Sequence, residues 1–572
     1  MHATRGTKDG ELPTSVSVNG LGTFYICLSV FWTLVLIGGI LFLHLNRRMP
    51  MLRIRGLSLS FGAVVLLHMY WIGVQLGYIY GPLMAPGVEF WIMGIWLPFG
   101  IALFHASNSR FLYVAEMQKR FIGDDMTSNR RPSSKKKSLI QKWRSLDYTT
   151  KMLALVCSGM GFQLFLTLFM FLVSRKFHDS FGIPGTEVHG TPAEKKAAAS
   201  IGWEWWPSVF WQCFWAWIVA PIILWRARGL HDTLGWRVQT IGCCLAGLHA
   251  TPMWLIGLYV PGMAPINKYW IPPQWIAVSI MLLEIFTIFL PCWEVIKHQS
   301  LRQETLESIA RWEARNKGNS DGSISTDHSS SYVSWKKPRR KQGTSISSSS
   351  NNSVLTMDAL EHTLIQNPGP LQMFSALRDF SGENIAFLRR IAEWRLKFYD
   401  VKGIDRKMSV MSEKNVPSSP TQQVDIRASF EEALRIYIDF VSSRGAEFQV
   451  NLSSTDFKKL AGIFENAARI VYGDVQSPDP ATPFETPGWR TDDRSNSSQT
   501  AINTPEAVAS ETSPVAGVRY WGEIPEEFNG DVFDDAEMSI KYLVLTNTWP
   551  KYVKARRSMD SVESLEASST SA

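Results

Sequence analysis

Seven long apolar stretches constrain this chain more than any other feature of its sequence. They lie at about 21–45, 57–80, 89–112, 152–174, 206–225, 238–260 and 273–293. Each is close to the roughly 20 residues that cross the hydrocarbon core of a bilayer. Backbone polar groups in lipid must find partners within their own segment, so such spans fold as helices. The sequence therefore predicts a seven-helix transmembrane bundle over residues 21–293.

The distribution of Lys and Arg between the spans predicts the orientation of the bundle. The 46–56, 110–151 and 226–237 loops carry four, eleven and three basic residues, whereas the 81–88, 175–205 and 261–272 loops carry none, four and one. Loops rich in Lys and Arg face the cytoplasm. We therefore expect an extracellular N-terminus over 1–20 and a cytosolic chain after residue 293, in a plasma-membrane protein.

Cysteine placement and net charge exclude several classes of protein. All six cysteines lie inside apolar stretches, which argues against a disulfide framework and against a zinc site (Cys27, Cys157, Cys213, Cys243, Cys244, Cys292). The net charge of +7 comes largely from one loop and forms no nucleic-acid-binding stripe. We expect no metal, no cofactor and no nucleic-acid partner.

Four ionisable side chains inside the spans are candidates for a transmembrane ligand site or polar site. They are His68, His105, His249 and Glu284. Such groups are expensive to bury in a membrane and are often functional. The alternative is that they tie helices together by hydrogen bonds. The seventh span contains no Lys, so a retinal Schiff base has no attachment point there.

The chain changes character after the seventh span. Residues 294–316 predict a linker helix that continues into the cytosol, with Glu307 and Arg311 one helical turn apart. Residues 317–356 are rich in Ser and predict a disordered tether, and 557–572 predict a disordered tail. Basic residues at 336–341 could contact acidic membrane lipid, although a solvated charge run is the alternative.

Apolar residues at helical spacing return from Met357 and predict an all-helical domain over 357–556. Three buried faces follow from this spacing: Phe430, Leu434, Tyr437, Ile438 and Val441; Phe457, Leu460, Ala461, Phe464, Ala468 and Val471; Phe533, Ala536, Ile540, Leu543 and Val544. Ser453 is a predicted N-cap for the middle helix. Two Ser- and Pro-rich inserts, at about 401–423 and 473–517, predict long disordered excursions.

Three stretches of this region resemble a regulator of G-protein signalling (RGS) domain, in the order that the family has them. They are "LIQNPGPLQMFSALRDFSGENIAFLRRIAEW" (364–394), "FEEALRIYIDFVSSRGAEFQVNLSSTDFKKL" (430–460) and "VFDDAEMSIKYLVLTNTWPKYVKAR" (532–556). Together with seven spans, the chain is similar to the seven-transmembrane RGS proteins of filamentous fungi and plants. The expected fold is all-α, a membrane bundle followed by a cytosolic RGS domain.

The resemblance implies a negative regulator of signalling. Its partner would be the GTP-loaded α subunit of a heterotrimeric G protein, and it would accelerate GTP hydrolysis by that subunit. Such a domain is not itself an enzyme and supplies no catalytic acid, base or arginine finger. The α subunit carries its own arginine, and the RGS domain holds its switch loops in their transition-state shape.

The resemblance also places contacts with the α subunit in three loops that are distant in the sequence. They are Ser381, Glu383 and Asn384 in the first loop, Asn451 in the second, and Leu543, Asn547 and Lys551 in the third. Asn451 corresponds to the Asn that reaches the α subunit's active site, where a neutral amide can position its glutamine and attacking water.

The chain departs from the family pattern in this third loop. The family commonly has Asp where Asn547 stands and Arg where Lys551 stands. An Asp–Arg pair is charge-assisted and can be bidentate, whereas Asn with Lys gives one weaker bond and a point charge. These departures bear on affinity and on the choice among α subunits.

Two other functions stay open on the sequence alone. A receptor-like bundle could sense an unknown extracellular ligand while its RGS-like tail only scaffolds or desensitises. Two motifs of ordinary exchange-promoting receptors are missing. The third span ends "FHASNSRFL" without an Asp/Glu-Arg-Tyr, and the seventh ends "FLPCWEV" without an Asn-Pro-x-x-Tyr. A transporter is a further alternative, since Glu284 and the buried histidines could relay protons, but no inverted repeat supports it.

Overall fold

The computed structural model describes residues 19–83, 86–122, 148–178, 180–319, 354–409, 420–443, 446, 448–472, 520 and 522–558. Regular structure in these residues is helical, and they contain no β-strand beyond one isolated bridge between Ser174 and Ile183. The predicted all-α class is confirmed. The predicted second insert at 473–517, most of the tether and nearly all of the tail lie outside the described residues.

Seven helices are long and apolar enough to cross a membrane, as the sequence predicts. They span Gly20–Leu45, Leu57–Tyr80, Gly87–Phe121, Ala154–Val173, Trp203–Ala227, Trp236–Tyr259 and Pro273–Glu307. Large apolar side chains such as Phe31, Leu34 and Trp225 project outward and are 64%, 64% and 66% exposed. A surface of this kind is stable only against lipid. The chain is thus a multi-pass membrane protein.

Helix ends in the bundle follow local chemistry. The first helix begins where the Asn19 side chain accepts a hydrogen bond from the Gly22 N–H at 2.8 Å. A short helix, Pro50–Arg55, ends at Gly56, which adopts a left-handed φ of 67°. A Cβ at Gly56 would approach Arg110 Nε to 3.0 Å, so glycine is also needed for space. This turn helps to shape the end of the bundle that faces the rest of the chain.

Several membrane helices are not regular along their whole length. Turns of π-helix interrupt the third, fifth and seventh at Ile92–Trp96, Phe214–Val219 and Ile285–Phe289. The sixth is divided at His249 into Trp236–Leu248 and Ala250–Tyr259. Such interruptions redirect side chains and often mark functional positions.

The seventh membrane helix does not stop at the membrane. It continues from the π-helical turn as Leu290–Asn319, so the predicted linker at 294–316 is a direct extension of the seventh span. The helical domain, defined here as residues 354–558, follows and lies against the same end of the bundle.

The helical domain contains the helices Met357–Gln366, Gly369–Phe374, Gly382–Ser409, Pro420–Ile436, Ser454–Tyr472 and Asp534–Thr546, with a final helical segment over 548–558. Turns of π-helix follow two of them at Ser375–Asp379 and Tyr437–Val441. One expectation is corrected here. The predicted first insert at 401–423 is helical at both ends, because one helix runs on to Ser409 and the next begins at Pro420.

The predicted periodic faces form the core of this domain. Phe430, Tyr437, Phe464 and Phe533 are fully buried, and the Phe464 ring stacks on Phe533 with centroids 5.7 Å apart. Ser453 caps the helix Ser454–Tyr472 as predicted, its hydroxyl accepting from the Asp456 N–H at 3.1 Å. All buried members of this core belong to the domain itself. It therefore has a hydrophobic core of its own.

Candidate functional site

The site is organised by the turn at Phe380–Asn384, which enters the helix Gly382–Ser409. The Ser381 N–H donates to the Ser375 carbonyl at 2.9 Å across the preceding π-helical turn. Phe380 is the only non-glycine residue with positive φ among the described residues, at 50°. An aromatic residue whose backbone lies in the left-handed region is strained, and this conformation persists only where the surrounding structure holds it.

The three predicted contact loops meet at one place. Six of the seven predicted residues line a single cavity of about 830 Å³, a volume that includes its open side (Ser381, Glu383, Asn384, Asn451, Leu543, Asn547). The seventh, Lys551, donates to Asn547 Oδ1 at 2.8 Å. Loops distant in the sequence thus supply one continuous surface of the helical domain.

Asp379 is the residue at this surface that sequence reasoning missed. Its carboxylate accepts hydrogen bonds from Lys551 Nζ at 2.8 Å, Thr548 Oγ1 at 2.8 Å and Ser381 Oγ at 2.9 Å. Burial by itself would raise the pKa of Asp379, but the Lys551 charge and these donors outweigh it and hold the pKa below its usual value. Asp379 is therefore a fixed anion that joins the first and third loops.

The Asp379–Lys551 ion pair offsets part of the departure from the family pattern at Asn547 and Lys551. Lys551 bonds the Asn547 amide oxygen and also has a carboxylate partner in Asp379, 2.8 Å away. The charge-assisted contact that Asn547 cannot make is thus supplied from the first loop. The only available signal in the sequence was an acidic residue two positions before Ser381.

The bundle forms the opposite wall of the cavity, with Arg53, Arg110 and Leu234 among its lining residues. Gln118, fully buried at the end of the third membrane helix, donates from Nε2 to Glu383 Oε2 at 3.0 Å. Its Oε1 accepts from the Gly382 N–H at 3.0 Å. A Cβ at position 382 would come within 2.9 Å of Gln118 Oε1, so glycine permits this close approach.

Further polar contacts join bundle and domain around Gln118. The Thr233 N–H donates to the Arg378 carbonyl at 2.8 Å, and its hydroxyl donates to Asp379 Oδ1 at 2.8 Å. His298 Nε2 lies 2.7 Å from Asn547 Oδ1. The contacts from Gln118 and His298 thus engage two residues predicted to bind the partner, Glu383 and Asn547, and Thr233 engages Asp379 beside them.

One aromatic side chain of the helical domain, Phe380, inserts into the end of the bundle. The Phe380 ring is fully buried in the bundle, 5.9 Å from the Phe111 centroid and 6.4 Å from that of Trp236. Ser381, Glu383 and Asn384 keep only 7%, 8% and 5% of their surface exposed. Asn451 stays exposed at the edge. In this arrangement a protein partner has access to the edge of the surface but not to its centre.

Two side chains at the centre are electrostatically unusual. Burial raises the pKa of Glu383 to about 7, and the hydrogen bond from Gln118 opposes that shift. The charges facing Glu383 are Arg53, which lowers its pKa, and Asp379, which raises it. Asn384 Oδ1 is buried without a hydrogen-bond partner among the described residues. Such a group gains from a donor supplied by a partner.

The four predicted transmembrane residues do not form one site. Glu284 is fully buried, with His68 Nδ1 at 2.8 Å and the Trp32 indole N–H at 2.5 Å. His68 Nε2 in turn lies 3.0 Å from Thr33 Oγ1. This geometry fits the structural alternative, in which polar groups tie the first, second and seventh helices together.

The other two histidines lie elsewhere in the bundle. The His105 ring stacks on Trp215, 5.1 Å between centroids, and its Nδ1 has no partner within the described part of the chain. His249 is half-buried at the break in the sixth helix. Among the described residues no three His, Cys, Asp or Glu side chains are grouped so as to hold a metal ion.

Comparison with known proteins adds no relative: no protein-family model matches the chain, and no curated protein or solved structure matches it either. The functional assignment therefore starts from the residues and their geometry.

Proposed function

We propose that this protein is a membrane-anchored activator of GTP hydrolysis. Its helical domain would bind the GTP-loaded α subunit of a heterotrimeric G protein and shorten the life of the active state, so that signalling is attenuated. One observation carries the proposal: six of the seven residues expected to touch the α subunit come from three distant loops and line one cavity. The resemblance of the three sequence stretches to an RGS domain supplies the identity of the partner.

The chemistry asked of this surface is positioning. Asn451 offers an amide that donates and accepts, which suits it to orient a glutamine and a water beside the γ-phosphate. Glu383 and Asn384 would bind the backbone of the switch loops. The Asp379–Lys551 pair, 2.8 Å apart, would hold the rim of the surface in shape. Charge stabilisation in the transition state comes from the α subunit's own arginine and Mg²⁺.

The bundle contributes anchoring. A lipid-anchored α subunit and a membrane-tethered domain share a thin layer, which raises their effective concentration. The helical domain lies at the bundle end formed by the 46–56 and 226–237 loops, which are rich in basic residues. This placement supports a cytosolic position for the domain.

The test is single-turnover GTP hydrolysis by an α subunit mixed with a fragment covering residues 354–558, whose core is its own. We expect acceleration, and Asn451→Ala should remove most of it. Asn466→Ala is the matched control, because Asn466 is an exposed amide on the helix Ser454–Tyr472, several turns from Asn451. A fragment that leaves hydrolysis unchanged with every α subunit of the host would refute the proposal.

A second candidate, a sensor of an external ligand, is favoured by a pocket at the bundle end opposite the helical domain. The transporter alternative has no comparable support, since Glu284 and His68 are paired within the bundle at 2.8 Å.

A further inference from the structure

We infer that the protein holds its α-subunit surface closed against the end of its own bundle, and that a GTP-loaded α subunit must displace the bundle to act. This inference rests on the proposed function. It assigns a regulatory role to a residue of the third membrane helix, Gln118, and to Thr233 in the turn before the sixth helix.

The bundle and the α subunit would bind the same atoms of the helical domain, so the bundle closes the surface to the α subunit. The Glu383 carboxylate that would bind a switch loop already accepts from Gln118 at 3.0 Å. The Asn547 amide oxygen has His298 Nε2 2.7 Å away, and Asp379 accepts from Thr233 at 2.8 Å. An α subunit cannot make its contacts while these are in place, because both partners need the same face of the turn.

The junction is built to open. Several of its contacts are hydrogen bonds, and water replaces these on opening at little net cost. Phe380 is one apolar contact, and its strained φ of 50° is held by insertion between Phe111 and Trp236. Phe121, at the end of the third membrane helix, is another, and its ring centroid lies 5.9 Å from that of Phe448 in the domain.

Variants on the bundle side test closure without altering the α-subunit surface. Gln118→Ala combined with Thr233→Val removes the side-chain hydrogen bonds of both residues across the junction and leaves every domain residue unchanged. Gln299→Ala is the matched control, since Gln299 bonds Asn46 within the bundle and not the domain. The full chain in lipid nanodiscs is assayed for single-turnover GTP hydrolysis and for amide hydrogen exchange over residues 376–384.

We expect the double variant to exchange faster over 376–384 and to accelerate GTP hydrolysis about tenfold more than wild type at a limiting concentration of the chain, since each lost hydrogen bond makes opening easier. Gln299→Ala should match wild type. Equal exchange and equal acceleration in all three chains would overturn closure and leave the proposed function standing. Faster exchange with no acceleration by any chain would instead overturn the proposed function, and with it the role assigned to closure.

A crosslink tests the same inference in the other direction. The Thr233 N–H and the Arg378 carbonyl are 2.8 Å apart, so Thr233→Cys with Arg378→Cys places two thiols on adjacent backbone segments. Oxidation should lower acceleration below the reduced level, and a reductant should restore it. Full activity in the crosslinked chain would show that the surface works while closed, which contradicts the inference.

A different observation carries a second inference, at the opposite end of the bundle. We propose that a pocket there binds a small organic ammonium compound. The pocket measures about 950 Å³ with its open side included, and its lining includes Tyr70, Glu89, Trp205, Trp254 and Asn267.

Two buried polar atoms in this pocket lack partners among the described residues. They are the Tyr70 hydroxyl and Asn267 Oδ1. The Asn267 Nδ2 already donates to the Gly257 carbonyl at 2.7 Å, which leaves its Oδ1 as an acceptor directed by a fixed amide. Buried groups of this kind are normally satisfied. Asn267 Oδ1 can only accept and the Tyr70 hydroxyl can accept as well as donate, so a ligand that donates hydrogen bonds would satisfy both.

The charge of the lining selects the class of ligand. Glu89 supplies a carboxylate, and no Lys or Arg is among the described lining residues. The indole rings of Trp205 and Trp254 provide apolar walls that also attract cations. Acceptors, a carboxylate and aromatic walls together favour an ammonium group on an apolar body and disfavour anions.

The test uses the full chain in nanodiscs and three probes of equal shape: 2-phenylethylammonium, 2-phenylethanol and phenylacetate. We expect the ammonium probe alone to raise the melting temperature, and Glu89→Gln or Tyr70→Phe to weaken its binding at least about tenfold, since hydrogen bonds to charged groups are the stronger class. Tyr80→Phe is the matched control, as Tyr80 is exposed at the same end. Stabilisation by the alcohol equal to that by the ammonium probe, or no stabilisation, would overturn the assignment.

Discussion

Two buried glutamates show how differently the two parts of this molecule use a buried carboxylate. Glu284 is surrounded by partners of its own module, with His68 and Trp32 both within hydrogen-bond distance inside the bundle. Glu383 belongs to the helical domain, but its side-chain donor Gln118 belongs to the bundle. The first network fixes a fold, whereas the second depends on how two modules meet. Burial therefore marks structure in one case and regulation in the other.

The largest effect that this comparison predicts is on Glu284. Glu284→Ala leaves His68 and the Trp32 indole N–H without their shared partner, and breaking a buried pair costs about 3–5 kcal/mol. We expect a clear fall in the melting temperature of the bundle in detergent. Glu383→Ala should leave that temperature close to the wild-type value, because an opened junction solvates the remaining groups. Equal losses in both variants would erase the distinction between the two networks.

A smaller effect on closure of the junction is expected when the pH changes. Burial raises the pKa of Glu383 to about 7 in the closed form, from 4.5 when exposed, so the closed form binds the proton more tightly. Closure is therefore strongest below pH 4.5, weakens as pH rises through about 7, and is constant above that range. Hydrogen exchange over 376–384 should become faster between pH 6 and 8, with a change of about tenfold at most in the closing equilibrium.

The control for the pH effect is Glu383→Gln, which cannot titrate. After correction for the intrinsic pH dependence of exchange, its protection over 376–384 should be independent of pH. Arg53 and Asp379 are the other charged groups that face Glu383, and the pKa of Asp379 lies below its usual value. A wild-type chain with the same flat profile would show that Glu383 does not link closure to pH.

The smallest effect is expected at Lys551. Lys551→Arg would allow a bidentate contact with Asp379, at present a single Nζ contact of 2.8 Å. We expect the affinity for the α subunit to rise by about two- to fivefold, the scale of a modest gain in one charge-assisted contact. Titration of the α subunit with the 354–558 fragment measures it, and Lys554→Arg on the exposed side of the same segment is the control. A loss of affinity would mean that the point charge of Lys551 is itself required.

The sequence predicts those features that a repeating physical constraint imposes. The bilayer thickness dictates the length of the seven spans, and all seven occur in the structure. Helical periodicity predicts the domain core, where Phe430, Tyr437, Phe464 and Phe533 are fully buried. The three loop motifs led to residues that the structure brings around one cavity.

Other features depend on contacts that no local pattern encodes. Gln118 is one of several polar residues in the last turns of the third membrane helix, and its bonds to Glu383 and Gly382 join residues 265 and 264 positions apart in the sequence. Asp379 reads as an ordinary turn residue until Lys551 is seen beside it. The transmembrane His and Glu residues can be identified as candidates from the sequence by residue type. Only three-dimensional packing shows that His68 pairs with Glu284 while His105 and His249 do not.

The most direct test of the central claim is single-turnover GTP hydrolysis with three full-length chains in nanodiscs. They are the wild type, Gln118→Ala, and Gln118→Ala combined with Asn451→Ala. The expected order is fastest hydrolysis with Gln118→Ala, less with the wild type, and almost the unassisted rate with the double variant. Identical rates with all three chains would contradict both the assignment of this surface to the α subunit and its closure by the bundle.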